Sequence, residues 1–128
     1  MDLMTLGGIG LLGLAGALGA VTRYLVGRIV AQRTRSTFPW GTLLINGSGA
    51  FLIGLVAGLA SRKLLTPLAQ TMLATGFLGG YTTFSTMVWE GMQLARGGSL
   101  RQSIVYLGGN ILPGVLAAAL GLWLGAAW

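Results

Sequence analysis

The sequence lacks the residues on which most enzymes and metal sites depend. Its 128 residues include no cysteine and no histidine, and the only acidic residues are Asp2 and Glu90. Thiol chemistry, imidazole catalysis and most metal cages are therefore excluded together. We do not expect an enzyme.

Charge is scarce and apolar residues are abundant. Only 8% of the residues are charged, while 54% are hydrophobic, which is far from the balance of a soluble domain. Crossing about 30 Å of hydrocarbon takes about 20 apolar residues per helix, so the chain has room for about four crossings. We predict a single all-α integral membrane domain over residues 1–128, surrounded by membrane lipid.

The charge that is present is mostly basic, with a net value of +6. In a soluble protein this excess would suggest a nucleic-acid partner. Here the basic residues lie at the ends of apolar segments and between them, where lipid headgroups and membrane topology account for them. We expect no nucleic-acid partner, and the positive charge also attracts anions.

Four apolar segments are separated by short polar or basic stretches, as expected of four transmembrane helices. Ser99 and Ser103 are both plausible N-caps for the last of them. The predicted helices run roughly over Leu3–Val30, Gly41–Ala60, Pro67–Leu94 and Ile104–Ala127.

Glycine is unusually frequent, with 23 residues, and many lie inside the apolar segments. Glycine at GxxxG spacing lets helix backbones approach closely in a membrane. A compact bundle or an oligomer follows from these pairs, which are Gly54/Gly58, Gly76/Gly80 and Gly121/Gly125.

The third segment carries glycines and hydroxyl residues where a spanning helix would lie mid-membrane. Such a helix can break, and backbone carbonyls exposed by a break are tolerated only where they line a cavity or hold an ion. A cation site made of carbonyls is one use of a break. The alternative is an unbroken helix whose hydroxyls bond back to the preceding turn. The residues are Gly76, Gly79, Gly80, Tyr81, Thr82, Thr83, Phe84, Ser85 and Thr86.

Asn46 lies inside the second apolar segment, where its two amide hydrogens need acceptors in a region without water. Two donors at one position suit a desolvated anion. The alternative is a structural hydrogen bond between helices.

Three other side chains are candidates for an ion path. The edge of an aromatic ring such as Phe84 is electropositive and can contact an anion that has lost its water. Arg23 and Glu90 are charges within or near the membrane, for which an ion-path role and snorkelling to the headgroups are both reasonable.

Tyr106 and Asn110 are four residues apart, so they share one face of the fourth helix and can extend a polar track. Alternatively, Asn110 can bond to a carbonyl that Pro113 leaves without its helical donor.

Three segments in this order resemble the Fluc, or CrcB, fluoride channels. The resemblance covers the first three helices, and the fourth matches mainly in length and in Tyr106. The segments are residues 19–24 (GAVTRY), 38–46 (FPWGTLLIN) and 76–86 (GFLGGYTTFST).

The resemblance implies a homodimer of two antiparallel copies with dual insertion topology in a prokaryotic plasma membrane. Each dimer would have two fluoride pores and a central structural sodium ion at the broken third helices. By this resemblance, Asn46 is the pore asparagine, Phe84 the first pore phenylalanine and Tyr106 the aromatic hydroxyl. Gly79 and Thr82 supply the backbone carbonyls that hold sodium.

Two positions depart from the family pattern. The family usually has a second phenylalanine three residues after the first, and this chain has Met87, which is polarizable but has no electropositive ring edge. Many members have serine where this chain has the bulkier Asn110.

A fluoride pore must replace a tightly held hydration shell with hydrogen-bond donors at close range. Passive conduction would let the membrane potential drive fluoride out of the cell. The candidate groups are Asn46, the edge of Phe84 and the hydroxyls of Thr83, Ser85 and Thr86.

Two other functions fit a small four-helix membrane protein. A small multidrug-type transporter depends on an acidic residue deep in the first helix, and here Asp2 is terminal. A non-transporting scaffold explains the GxxxG pairs but not the polar third segment.

The basic residues also bear on topology. Counting basic residues predicts cytoplasmic first and third loops in one fixed orientation, whereas the resemblance implies both orientations. The second loop offers Arg62 and Lys63, and the opposite side offers Arg28, Arg33, Arg35, Arg96 and Arg101.

Overall fold

The computed structural model describes residues 5–127, and within this range all regular structure is helical. Leu3, the expected start of the first helix, and Asp2 lie outside the described residues. The helices are α1 (Leu6–Arg33), α2 (Trp40–Ser61), α3 (Pro67–Gln70), a π-helix (Thr71–Leu78), α4 (Gly79–Tyr81), α5 (Phe84–Arg96) and α6 (Leu100–Ala126).

Three of these helices, α1, α2 and α6, are long and apolar enough to cross a membrane unaided. The third predicted span consists of two halves, residues 67–81 and α5, separated by Thr82 and Thr83. The predicted break in this span is therefore confirmed. The π-helix in its first half was not predicted; such segments are rare and often occur at functional sites.

Side-chain caps set several helix ends. Thr66 caps α3 and Thr83 caps α5, each accepting from a backbone N–H three residues later. Ser99 caps α6 in the same way, so the first of the two expected caps is confirmed, and the helix begins at Leu100, about one turn before the apolar segment that starts near Ile104. Ser103 lies inside the helix and donates to the Gly91 carbonyl.

Glycines bring α2 and α6 into direct backbone contact. A Cβ at Gly54 would overlap the Ala118 carbonyl, and one at Gly121 would overlap the Phe51 carbonyl. Gly58 and Gly125 are also packed against backbone atoms of the opposite helix, slightly less closely. Both GxxxG pairs therefore act within one chain, as close approach of two backbones requires.

The first half of the third span packs on α1 in a similar way. Gly80 lies against the Gly16 carbonyl, and Gly76 lies against Ala15. A small core between this pair and α2 contains Ile45, Leu78 and Tyr81. The two halves on either side of the break are thus packed against neighbouring helices, the first half against α1 and α2 and the second half, α5, mainly against α6.

Candidate functional site at the helix break

The break is formed by two residues with extended backbones. Thr82 has φ −80° and ψ 157°, and Thr83 has φ −147° and ψ 120°. The hydroxyl of Thr83 accepts from the Thr86 N–H at 3.2 Å and donates to the Thr86 hydroxyl at 3.0 Å. Thr83 therefore both ends the break and starts the next helix.

Asn46 of α2 binds the peptide groups of Thr83 in both directions. Its Nδ2 donates to the Thr83 carbonyl at 3.0 Å, and its Oδ1 accepts from the Thr83 N–H at 3.0 Å. If the Asn46 amide were reversed, its oxygen would face the Thr83 carbonyl and its NH₂ group would face the Thr83 N–H. The two hydrogen bonds therefore fix the orientation of the amide. Asn46 replaces hydrogen bonds that the broken helix loses.

The hydrogen bonds at the break also change the partners available to the carbonyls of Gly79 and Thr82. In an unbroken helix the Thr83 N–H would serve the Gly79 carbonyl, and the Thr86 N–H would serve the Thr82 carbonyl. Here these two N–H groups donate to the side chains of Asn46 and Thr83. The helical donors of both carbonyls are thus diverted, as a site for a hard cation requires.

Asn110 of α6 completes this layer of the site. Its Oδ1 accepts from Asn46 Nδ2 at 3.1 Å, and its own Nδ2 donates to the Tyr106 carbonyl at 2.9 Å. The side chain is 6% exposed.

A second polar layer lies one turn along the same helices. Thr42 and Tyr106 both donate to Oε1 of Glu90, which is half-buried, and the Tyr106 bond is 3.3 Å long. The ring of Phe38 packs edge-on against the ring of Tyr106, with centroids 5.5 Å apart. The loop between α1 and α2 thus covers this layer.

Three cavities follow one another from the loop between α1 and α2 to the break. A cavity of about 350 Å³ beside Glu90 shares Thr42 with a second cavity of about 400 Å³. The second shares Thr83 with a third, of about 250 Å³, which Asn46 and Phe84 also line. We call the third one the break cavity.

Comparison with known proteins identifies the family. The family described as CrcB-like protein, Camphor Resistance (CrcB) matches residues 10–122. The chain belongs to the CrcB family. It is accordingly a multi-pass membrane protein, as its apolar helices indicate.

Several relatives match over nearly their whole length. The fluoride-specific ion channel FluC 2 of Clostridium acetobutylicum is 41% identical over 111 residues, 87% of this chain and 92% of the relative. The fluoride-specific ion channel FluC of one Thermus thermophilus strain is 41% identical over 117 residues, 91% of this chain and 94% of the relative. FluC 2 of Moorella thermoacetica is 44% identical over 115 residues, 89% and 92% of the two chains.

The CrcB-family chain brings five of the predicted site residues together in one cavity. Asn46, Thr82, Thr83, Phe84 and Met87 all line the break cavity. Met87 is 6% exposed, whereas the Phe84 ring is 75% exposed, so the cavity lies at the surface of the single chain.

The remaining predicted residues lie around this centre. Arg23 and Thr86 line the 400 Å³ cavity together with Thr83. Ser85 is exposed, and its hydroxyl lies 3.5 Å from that of Thr83. Gly79 is exposed at the end of the first half-span. Arg23 itself is half-buried.

The alternative role for Asn110 is wrong. Pro113 deprives the Gly109 carbonyl of its donor, because that carbonyl lies four residues earlier. Asn110 instead donates to the Tyr106 carbonyl. Its bond therefore does not compensate for the proline.

Sequence reasoning missed Thr42 and Phe38. Thr42 precedes Asn46 by four residues, so the shared helix face was a usable signal. Phe38 lies in a loop, and nothing in its sequence position indicates that it would reach Tyr106.

Proposed function

We propose that this protein is a fluoride-selective channel that conducts fluoride passively out of the cell across the plasma membrane. The observation that carries the proposal is the break cavity, where Asn46, Thr82 and Thr83 lie at an interrupted helix beside the exposed ring of Phe84. Membership of a family whose relatives are named fluoride-specific ion channels supports the choice of ion.

The polar groups supply what fluoride needs along such a path. Fluoride holds its water tightly, so a selective pore must offer hydrogen-bond donors at short range in a narrow space. The Thr86 hydroxyl accepts from Thr83, which leaves its own hydrogen for an anion in the neighbouring cavity. Arg23 and Arg28 line the same cavity and raise the local concentration of anions.

A structural sodium ion is proposed at the break. The carbonyls of Gly79 and Thr82 are hard oxygen donors whose helical N–H partners donate elsewhere, which fits a hard cation. When bound, sodium would supply a fixed positive charge and hold the segments of the break together.

We propose an antiparallel homodimer as the working assembly. Phe84 lines the break cavity yet is 75% exposed, so a second copy would provide the missing wall. A closed two-fold assembly is the commonest symmetry of oligomers.

Fluoride efflux from liposomes that contain only the purified protein tests this function. We expect rapid efflux measured with a fluoride electrode, no comparable chloride efflux, and loss of flux when sodium is replaced by a large organic cation. Absence of fluoride efflux would overturn the channel; efflux independent of sodium would overturn the sodium site alone.

Phe84 and Met87 both line the break cavity, but only Phe84 offers an aromatic ring edge, and this difference gives one prediction. Phe84→Ala removes an electropositive ring edge at the break cavity, and we expect fluoride efflux to fall at least about tenfold. Met87→Phe restores the family pattern and should retain flux. Trp89→Ala is the matched control, because Trp89 is an exposed aromatic residue of the same helix. Unchanged flux in Phe84→Ala would contradict the ring-edge contact.

Dual topology gives another prediction. The native chain has no cysteine, so Leu64→Cys in the second loop and Gln32→Cys near the end of α1 provide single labelling sites on opposite ends. We expect each to react with an impermeant thiol reagent from both faces of sealed vesicles. Reaction of each cysteine from one face only would show the fixed orientation that the basic-residue count favours.

A further inference from the structure

The amide of Asn46 has no hydrogen left for an anion in the conformation described. One Nδ2 hydrogen goes to the Thr83 carbonyl and the other to Asn110 Oδ1. An amide nitrogen has only these two hydrogens. A fluoride ion can therefore bind this donor only by displacing one of the two oxygens.

The two oxygens differ in how firmly they are held. The Thr83 carbonyl is half of a two-way pairing, because the Thr83 N–H also donates to Asn46 Oδ1. The Asn110 oxygen is held to Asn46 by a single bond of 3.1 Å. The Asn110 bond is therefore the one that an incoming anion displaces.

The orientation of Asn110 is also fixed. Its Nδ2 donates to the Tyr106 carbonyl at 2.9 Å, and reversing the amide would oppose two oxygens there. The buried side chain consequently presents an acceptor, not a donor, to Asn46.

We propose, on the basis of the proposed channel function, that Asn110 determines the fluoride affinity of this pore by competing with the anion for the Asn46 amide hydrogen. Asn110 Oδ1 accepts the hydrogen bond from Asn46 when fluoride is absent, and fluoride replaces it as the acceptor when the ion arrives. Asn110 thus lowers the affinity of the site and favours release of the ion, as rapid conduction requires.

Removing this competing acceptor tests the proposal. Asn110→Ala leaves the Asn46 hydrogen without a protein acceptor, and Asn110→Ser keeps a small hydroxyl that can bond back to the Tyr106 carbonyl. We expect the fluoride concentration at half-maximal efflux from proteoliposomes to fall about fivefold in both variants, the equivalent of one neutral hydrogen bond.

Ser103→Ala is the control, since Ser103 is a buried polar residue of the same helix that bonds to Gly91. Its half-maximal concentration should remain within about twofold of wild type. An unchanged or higher half-maximal concentration in both Asn110 variants would overturn the proposal while wild-type efflux still supports the channel. Loss of the folded protein in both would also overturn it, because Asn110 would then be a structural residue. Absence of wild-type efflux would overturn the channel itself.

Discussion

Gly121→Ala should unfold the protein or leave it severely destabilised. The added Cβ would overlap the Phe51 carbonyl and lie 2.8 Å from the Leu55 nitrogen, both of which are backbone atoms of α2. Since rigid backbone cannot move aside as a side chain can, α2 and α6 would have to separate. We expect a loss of about 3 kcal/mol or more in the free energy of unfolding.

Separation of these helices would also stretch the bond between Asn46 and Asn110 that joins them. The protein should therefore lose its melting transition in detergent or show it at a much lower temperature. Gly114→Ala and Gly108→Ala are matched controls in the same helix, because nothing lies within 4 Å of a Cβ at either position. A Gly121→Ala melting temperature within about 4 °C of these controls would contradict the packing.

Asn46→Asp is expected to abolish fluoride efflux in a protein that still folds. A carboxylate oxygen would replace Nδ2 and face the carbonyl oxygens of Thr83 and Asn110, at the 3.0 and 3.1 Å of the present bonds. Two hydrogen bonds would become repulsive contacts, and each buried acceptor left without its donor costs about 1–3 kcal/mol. A negative charge would also oppose an anion at the break cavity.

We expect efflux to fall more than about tenfold, which corresponds to about 1.4 kcal/mol. Size-exclusion chromatography should give the wild-type elution volume. Ser48→Ala is the control, since Ser48 lies two residues further along α2 and bonds to the Tyr81 hydroxyl. Efflux within about twofold of wild type would show that Asn46 is neither an anion contact nor a support for the break.

The sequence predicts the break in the third span but not its two residues. Paired glycines and consecutive hydroxyl residues indicate that a helix here is weak. The choice of Thr82 and Thr83 depends on Asn46, which is 37 residues away and binds the Thr83 peptide groups. Local pattern carries no information about such a partner, and it gives no sign of the π-helix over Thr71–Leu78.

The sequence predicts which residues form the candidate site better than it predicts the hydrogen bonds between them. The amide of Asn46 is evident from the sequence as a buried pair of donors. Which acceptors it meets depends on the register between α2 and α6, which the spacing of Gly54 and Gly121 does not specify. The prediction of close helix approach is confirmed, whereas the use of both Asn46 hydrogens within the protein emerges only in three dimensions.

The pairing of α2 with α6 also imposes an order on biosynthesis. Asn46 and Asn110 are separated by 64 positions, so α6 leaves the ribosome after α2. Until then, the tightly packed glycine face of α2 lacks its partner helix. Chain elongation proceeds at about 5–20 residues per second, so α2 waits for about 3–13 seconds between its own synthesis and that of its partner. Assembly of the break is therefore a late event, which follows insertion of the earlier helices into the lipid.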